Sequence, residues 1–336
     1  MVTLEELSSD PHPVLAELRP VGWVDALGGW VVSSRELALR VMRDPSTFTV
    51  DDPRFSTAQV VGPSMLSLDD SAHAGHRAPF EHPFSLAQTR ARFTTFVEEE
   101  TDRLLSSIRQ LGSADLRRTV AGPLSVAVVA YSLGLPPTSA ATVLEWYEAI
   151  STSVTGVSAG HPVTAEGAAA FALLHKHVAG GIDRSDSLIA EAAHAGLGTD
   201  DVVANAAVLM FGGIETTEGM ITNALWHLLT NRSQLGLVLA DPTLLPNAIE
   251  ESLRLEPAAA VVDRYAPETP NWPAPPSAGA TLSPSPSPAP AETRRSSPIP
   301  TATTYAGPTR AAISPSPAVH TSASACTSPA WRPSPP

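Results

Sequence analysis

Residues Thr199–Thr230 read T-D-D-V-V-A-N-A-A-V-L-M-F-G-G-I-E-T-T-E-G-M-I-T-N-A-L-W-H-L-L-T. The opening T-D-D offers an N-cap and two acids at the positive end of a helix dipole. Apolar residues then run nearly all round the helical wheel, which predicts a long, buried, central helix. Gly212-Gly213 stands in its middle, where each glycine costs about 1 kcal/mol against alanine. Glu215 follows, inside the part expected to be buried. An acid beside two glycines and two threonines has two readings. One is a kink with the acid hydrogen-bonded locally. The other is a groove where a flat ligand meets bare backbone, with Glu215 and Thr216 handling protons. Residue physics alone tips toward the kink.

Outward from this helix, the pattern stays helical over about 71–80, 86–111, 116–134, 138–152, 164–179, 184–195, 233–239 and 243–255. Nearer the N-terminus, Val21–Val32 places two β-prone runs either side of L-G-G, a short hairpin. Ser34 is placed to cap a helix from Arg35 to Met42, and Asp44-Pro45 to stop it. Residues 51–68 read as irregular. The expected body is mainly α with a small N-terminal β element.

Two further groupings flank the central helix. His73-Ala-Gly-His-Arg77 puts His73 and Arg77 four apart on one helix face, a pair of donors suited to an anion such as a carboxylate. A solvated polar face is the bland alternative. In N-A-I-E-E-S-L-R-L-E-P, Glu251 and Arg254 are i,i+3 partners able to form a directional carboxylate–guanidinium pair, a pattern that surface helices also carry freely. Arg264 lies beyond it in the strand-like V-V-D-R-Y-A.

Composition bounds the rest. The chain has 336 residues and a formal net charge of −13, which argues against a nucleic-acid-binding surface. Its single cysteine excludes a disulfide framework and a cysteine-cluster metal site within the chain. The N-terminus is acidic and lacks the order of a signal peptide, and no apolar run is long enough to span a bilayer, so a cytoplasmic protein is expected. Of 33 prolines, 18 fall in residues 267–336, where Leu282, Ile299, Ile313 and Val319 are the only large aliphatic residues. Such a segment cannot bury enough apolar surface to offset its ordering entropy. Two regions are therefore expected: a folded body over 1–266 and a disordered Pro/Ser/Ala-rich tail over 267–336.

Taken in order, these motifs resemble the cytochrome P-450 superfamily, the haem-thiolate monooxygenases, in their bacterial soluble form. H-A-G-H-R matches the family's H-x-x-x-R, G-G-I-E-T-T its [A/G]-G-x-[E/D]-T, E-S-L-R its E-x-x-R, and V-V-D-R-Y-A the strand that follows. The resemblance covers residues 1–266. It implies an incomplete P-450-like helical fold, a bound haem (heme b), a small organic substrate and a ferredoxin-type electron donor. By the same resemblance, His73, Arg77 and Arg264 hold haem propionates, and Gly212 and Gly213 let haem and dioxygen approach. Glu215 and Thr216 deliver protons for O–O cleavage, while Glu251 and Arg254 are a structural pair.

The last third departs from the family. F-x-x-G-x-x-x-C-x-G, whose thiolate is the iron's axial ligand, is absent, and Cys326 sits instead in S-A-S-A-C-T-S-P-A-W. Arg supplies all but one of the 21 basic residues, which points to GC-rich codons. Read one base over, a permitted choice of synonymous codons for Ala312–Trp331 encodes F-x-x-G-x-x-x-C-x-G, with the cysteine codon straddling Ser322 and Ala323. Upstream, E-T-R-R-S-S-P-I-P-T permits a string similar to the family's meander in the same frame. A frameshift near residues 266–272 is the expectation, with no protein ligand for a metal, doubtful haem retention and absent or impaired activity. The alternatives are a haem-free relative acting as a partner protein, for example of a glycosyltransferase, and a pseudogene product without function.

Overall fold

The chain enters through helix α1 (Pro11–Glu17) and strands β1 (Val21–Val24) and β2 (Gly29–Val32), in a computed structural model that describes residues 2–3, 6–7, 11–134, 140–182, 187–266 and 301–305. Its contacts divide it into two units. The described part of the first falls within residues 2–49, 263–266 and 301–305, and that of the second within 50–262.

In the first unit, β1 and β2 pair antiparallel with Val21 opposite Val32 and Trp23 opposite Trp30. The hairpin expected from L-G-G is present. Asp25–Leu27 make a 3-10 turn, and Gly28 closes it at φ 59°, where a side chain would be strained. The cross-strand Trp23 and Trp30 rings meet edge to face at 5.6 Å. Helix α2 (Arg35–Arg43) starts where Ser34 Oγ accepts from Leu37 N at 3.3 Å, as its sequence predicts. It turns Ala38 and Val41, three residues apart, into a core with Val21, Val32, Phe48 and Ala266. Thr49 and Tyr265 exchange two backbone hydrogen bonds of 2.9 Å, which tie the end of strand β3 (Val261–Tyr265) to this unit.

Of the expected tail, the structure describes 301–305. These residues, T-A-T-T-Y, form strand β4 between β2 and β3, parallel to β2 with Gly29 opposite Thr301. Where composition predicts no order, a local run of β-branched and aromatic residues provides a strand. The remainder of the tail, Cys326 included, lies outside the described residues.

The second unit is helical: α3 (Ser56–Val61), α4 (Asp70–Glu81), α5 (Leu86–Ile108), α6 (Gly122–Ser132), α7 (Ala140–Ser158), α8 (Ala165–Ala179), α9 (Leu188–His194), α10 (Thr199–Gly213), α11 (Glu215–Thr230), α12 (Arg232–Ala240) and α13 (Leu245–Leu255). Helix α3 falls where the sequence reads as irregular. It is six residues long, too short to show a period, yet it buries Ser56, Thr57, Val60 and Val61. Helix α7 runs six residues beyond its expected end. There Val154 and Val157 are buried, while Thr155 and Ser158 return their hydroxyls to the helix's own carbonyls. Ile150, Leu174, Ile189, Met210 and Ile214 are the fully buried large residues of the core that α6–α10 share.

Two expectations for the central helix need correction. Thr199 is not its cap; Gly198 holds that position and Thr199 begins the helix, with Asp200 and Asp201 in the first turn as expected. The single buried helix is two. Thr199–Gly213 buries nine residues, the chain breaks at Ile214, and Glu215–Thr230 buries none. The second half keeps its apolar residues, but Trp226 is 53% exposed and Leu239 on the following helix 73%. Apolarity all round the wheel reports the capacity to be buried; a covering partner decides whether burial happens.

Candidate active site at the broken central helix

Ile214 has φ −89° and ψ −73°, which separates α10 from α11 without unwinding either. Ile214 N still donates to Met210 O at 3.0 Å and Glu218 N to Ile214 O at 2.9 Å. Thr216 Oγ1 donates to Gly212 O at 2.6 Å, a back-bond that satisfies a carbonyl at the break and favours the bend. The two glycines differ in purpose. A Cβ on Gly213 would come within 2.5 Å of Val129 Cγ2, so Gly213 lets α10 close onto α6. A Cβ on Gly212 would meet nothing within 4 Å, so its bare backbone faces open space.

Glu215 is exposed rather than buried, and its bond is not local: Tyr147 Oη, from α7, donates to Glu215 Oε2 at 2.8 Å. The Tyr147 ring is buried and packs edge to face on Phe211 at 5.9 Å. Burial, and then the neighbouring Glu215 charge, push the Tyr147 phenol well above the ordinary tyrosine range, so it stays a donor. This pair lines an open pocket of about 630 Å³ together with Ile214, Glu218, Arg117 and Arg103. Arg117 Nε donates to Glu218 Oε1 at 2.5 Å, which brings the π-helical turn Arg117–Ala121 to the wall of α11. The helix does bend at the motif, but the local bond there is made by Thr216, while the acid is bonded at long range by Tyr147 and lies at the wall of a cavity.

His73 and Arg77 are one turn apart on α4, half-buried. His73 Nδ1 donates to Met65 O at 2.8 Å, which leaves Nε2 as the nitrogen a ligand could use. Arg77 Nε meets Glu81 Oε1 at 3.3 Å, a solvent-facing i,i+4 pair that an incoming anion could displace. Helix α4 is tied to α10 by Asn205 Nδ2, 3.0 Å from His76 Nδ1. Glu251 and Arg254 form the expected pair as a fork, Nε to Oε2 and Nη2 to Oε1 each at 2.7 Å, on the partly exposed side of α13. Arg264 stands on β3, its Nη1 bonded to Asp263 O at 2.7 Å; it belongs to the other unit.

Sequence reasoning missed Tyr147, His76 and Asn205. Tyr147 has no local signal. Asn205 does have one: a lone amide in V-V-A-N-A-A-V must find partners if that helix is buried. Among the described residues no cluster of His, Cys, Asp or Glu is arranged to hold a metal ion, and no helix is long and apolar enough to cross a membrane.

No protein-family model matches the chain. Curated relatives do. Cytochrome P450 monooxygenase PikC of Streptomyces venezuelae is 28% identical over 275 residues, 75% of this chain and 64% of that protein. Steroid C26-monooxygenase of Mycobacterium tuberculosis is 28% identical over 201 residues, 57% of this chain and 54% of the relative. Among solved structures, P450BioI in complex with an acyl carrier protein superposes with a TM-score of 0.72 at 20% identity, covering 90% of this chain and 78% of its own. CxnD, a cytochrome P450 for C–S bond formation in chuangxinmycin biosynthesis, gives 0.69 at 26%, covering 81% and 72%. The chain thus spans between about half and two thirds of the length of the first two relatives.

Proposed function

We infer that this chain, a relative of the cytochrome P450s in fold and sequence over residues 1–266, descends from a haem-dependent monooxygenase of small organic substrates served by a ferredoxin-type donor. The observation that carries the reading is the broken helix. Gly212 offers bare backbone to open space, Thr216 closes the bend, and Glu215 is aimed by Tyr147 into a pocket. The relatives it matches include P450 monooxygenases.

The residues present fit one face and the edge of a haem. His73 Nε2 and the Arg77 guanidinium would take propionate oxygens, and Gly212 gives a flat ring somewhere to lie. When bound, haem supplies the iron at which dioxygen is activated. Glu215 and Thr216 would hold protons at their Oε and Oγ1 atoms beside it. The fit does not extend to sulfur. The single cysteine, Cys326, lies outside the described residues and in a sequence unlike the family's ligand loop. Activity of this chain is accordingly absent or severely impaired, and a base gained or lost near codons 266–272 accounts for the sequence that follows.

Reconstitution of the purified chain with haem, followed by the reduced carbon monoxide difference spectrum, tests the first point. No thiolate-type Soret band is expected, and its appearance would overturn the reading. Resequencing source DNA across codons 260–275 tests the second; an intact reading frame in related genes that matches this one throughout would exclude a shift.

A further inference from the structure

Asn205 is wholly buried, and each of its polar hydrogens and its oxygen is used. Oδ1 accepts from Met65 N at 2.8 Å, and Nδ2 donates to Asp201 O at 2.8 Å. The first partner can only donate and the second can only accept, so the amide has one possible orientation. The remaining Nδ2 hydrogen points to His76 Nδ1 at 3.0 Å, which must then be a bare acceptor. The His76 proton therefore sits on Nε2, facing Asp201 Oδ1 at 3.7 Å. On the other side of Met65, His73 Nδ1 donates to Met65 O at 2.8 Å. Met65 belongs to the turn Ser64–Ser67, closed by Ser67 N to Ser64 O at 3.0 Å. One backbone residue thus has its N–H held from α10 and its carbonyl held from α4.

We propose that Asn205 is a positioning residue for His73, acting through the N–H and carbonyl of Met65, and that it does so only while His76 is neutral. The Met65 carbonyl sets which nitrogen of His73 carries the proton and where the ring points, the role a second-layer acceptor plays for a ligand-facing histidine. Asn205 holds that carbonyl in place by holding the turn that carries it. A protonated His76 would put an N–H against the Asn205 NH2. The amide cannot flip in response, because its oxygen would then face Asp201 O and its NH2 would face Met65 N–H. The strut must open. His76 Nε2 faces Asp201 on α10 at 3.7 Å; the other titratable groups on the helices nearby are Asp200 on α10, Glu191 and His194 on α9, which packs against α4, and Asp70, His73, Arg77 and Glu81 on its own helix. Asp200 is engaged by His175, Glu191 by Arg92 and Arg77 by Glu81. The value of His73 to a haem rests on the function proposed above; the strut itself does not.

The test uses the full chain without haem. Exchange of the Met65 amide, corrected for its intrinsic pH dependence, is followed by residue-resolved hydrogen-exchange mass spectrometry from about pH 8 to about pH 5, across the range where imidazoles ordinarily titrate. The core amide of Leu174 reports global stability. Protection of Met65 is expected to fall by about tenfold or more on acidification while Leu174 holds. In Asn205→Ala it should be lost at every pH. In His76→Gln, whose carbonyl can still accept from Asn205, it should persist into acid. Imidazole nitrogen-15 shifts should show His73 protonated at Nδ1 in the wild type and mixed in Asn205→Ala. Met65 protection independent of pH in the wild type, or still lost in acid in His76→Gln, would overturn the proposal. Haem titration separates the two inferences. A wild-type chain that takes up no haem defeats the functional reading and leaves the exchange results standing. If haem does bind, Asn205→Ala should weaken it as His73→Ala does.

Discussion

Tyr147 and Glu215 meet at 2.8 Å across the α7–α11 junction, 68 positions apart, with the phenol buried and the carboxylate at a pocket wall. A buried phenol whose pKa is raised keeps its proton in the folded chain after the unfolded chain has lost it. Stability from this group is therefore complete below the ordinary phenol value of about 10 and falls as pH rises above it. Tyr147→Phe should remove one proton's worth of the alkaline slope, about 1.4 kcal/mol per pH unit, read from urea midpoints against pH. Glu215→Gln should bring the late-titrating tyrosine only part of the way back, because burial is the larger cause. An alkaline limb identical in Tyr147→Phe and wild type would contradict this.

The two glycines of the break should respond oppositely to alanine. Gly213→Ala drives a methyl to 2.5 Å from Val129 Cγ2 and should destabilise by about 1–3 kcal/mol. Gly212→Ala enters open space in a helix and should stabilise by up to about 1 kcal/mol. Denaturation midpoints of the two variants falling on the same side of wild type would show the asymmetry to be mistaken.

Asp52 accepts from Arg54 Nε at 2.7 Å and Nη2 at 2.8 Å, and those bonds hold its carboxyl below the usual aspartate range despite partial burial. A depressed carboxylate contributes stability above its unfolded pKa, about 3.9, that is lost as pH falls through the folded value. Asp52→Asn should flatten the acid limb of the stability profile below about pH 4 and leave neutral pH less stable. Parallel acid limbs in the two proteins would rule out this contribution.

Leu239 is 73% exposed and Leu237 54%, on a helix with no buried residue among the described ones. Exposed apolar side chains in a group favour association. Leu239→Glu should lower light scattering on concentration while changing unfolding free energy by no more than about 0.5 kcal/mol. Undiminished scattering, or a marked loss of stability, would mean that Leu239 is covered in solution.

Most local signals were legible, the cap at Thr199 excepted. Ser34 with Leu37, the glycine turn after Leu27 and the fork between Glu251 and Arg254 each depend on residues within three or four positions, and each is present. The short helix Ser56–Val61 was illegible because six residues carry too little periodicity, and burial rather than propensity forms it. The site divided in the same way. Thr216 and Gly212 are four residues apart and could be read as a kink. The phenol that bonds Glu215 and the backbone N–H that bonds Asn205 Oδ1 lie 68 and 140 positions away, at Tyr147 and Met65, where no pattern in the chain points to them.

By itself, the order of residues determined a mainly helical body with a small N-terminal β element, because periodicity and turn signals act within a few turns. It also determined that the single cysteine, Cys326, lies in S-A-S-A-C-T-S-P-A-W. Tertiary packing alone decided which half of the interrupted helix is buried and that Glu215 points outward to a phenol. It alone turned His76 from a surface residue into one end of a strut. Burial and long-range hydrogen bonds depend on which surfaces meet, and that depends on the whole chain at once.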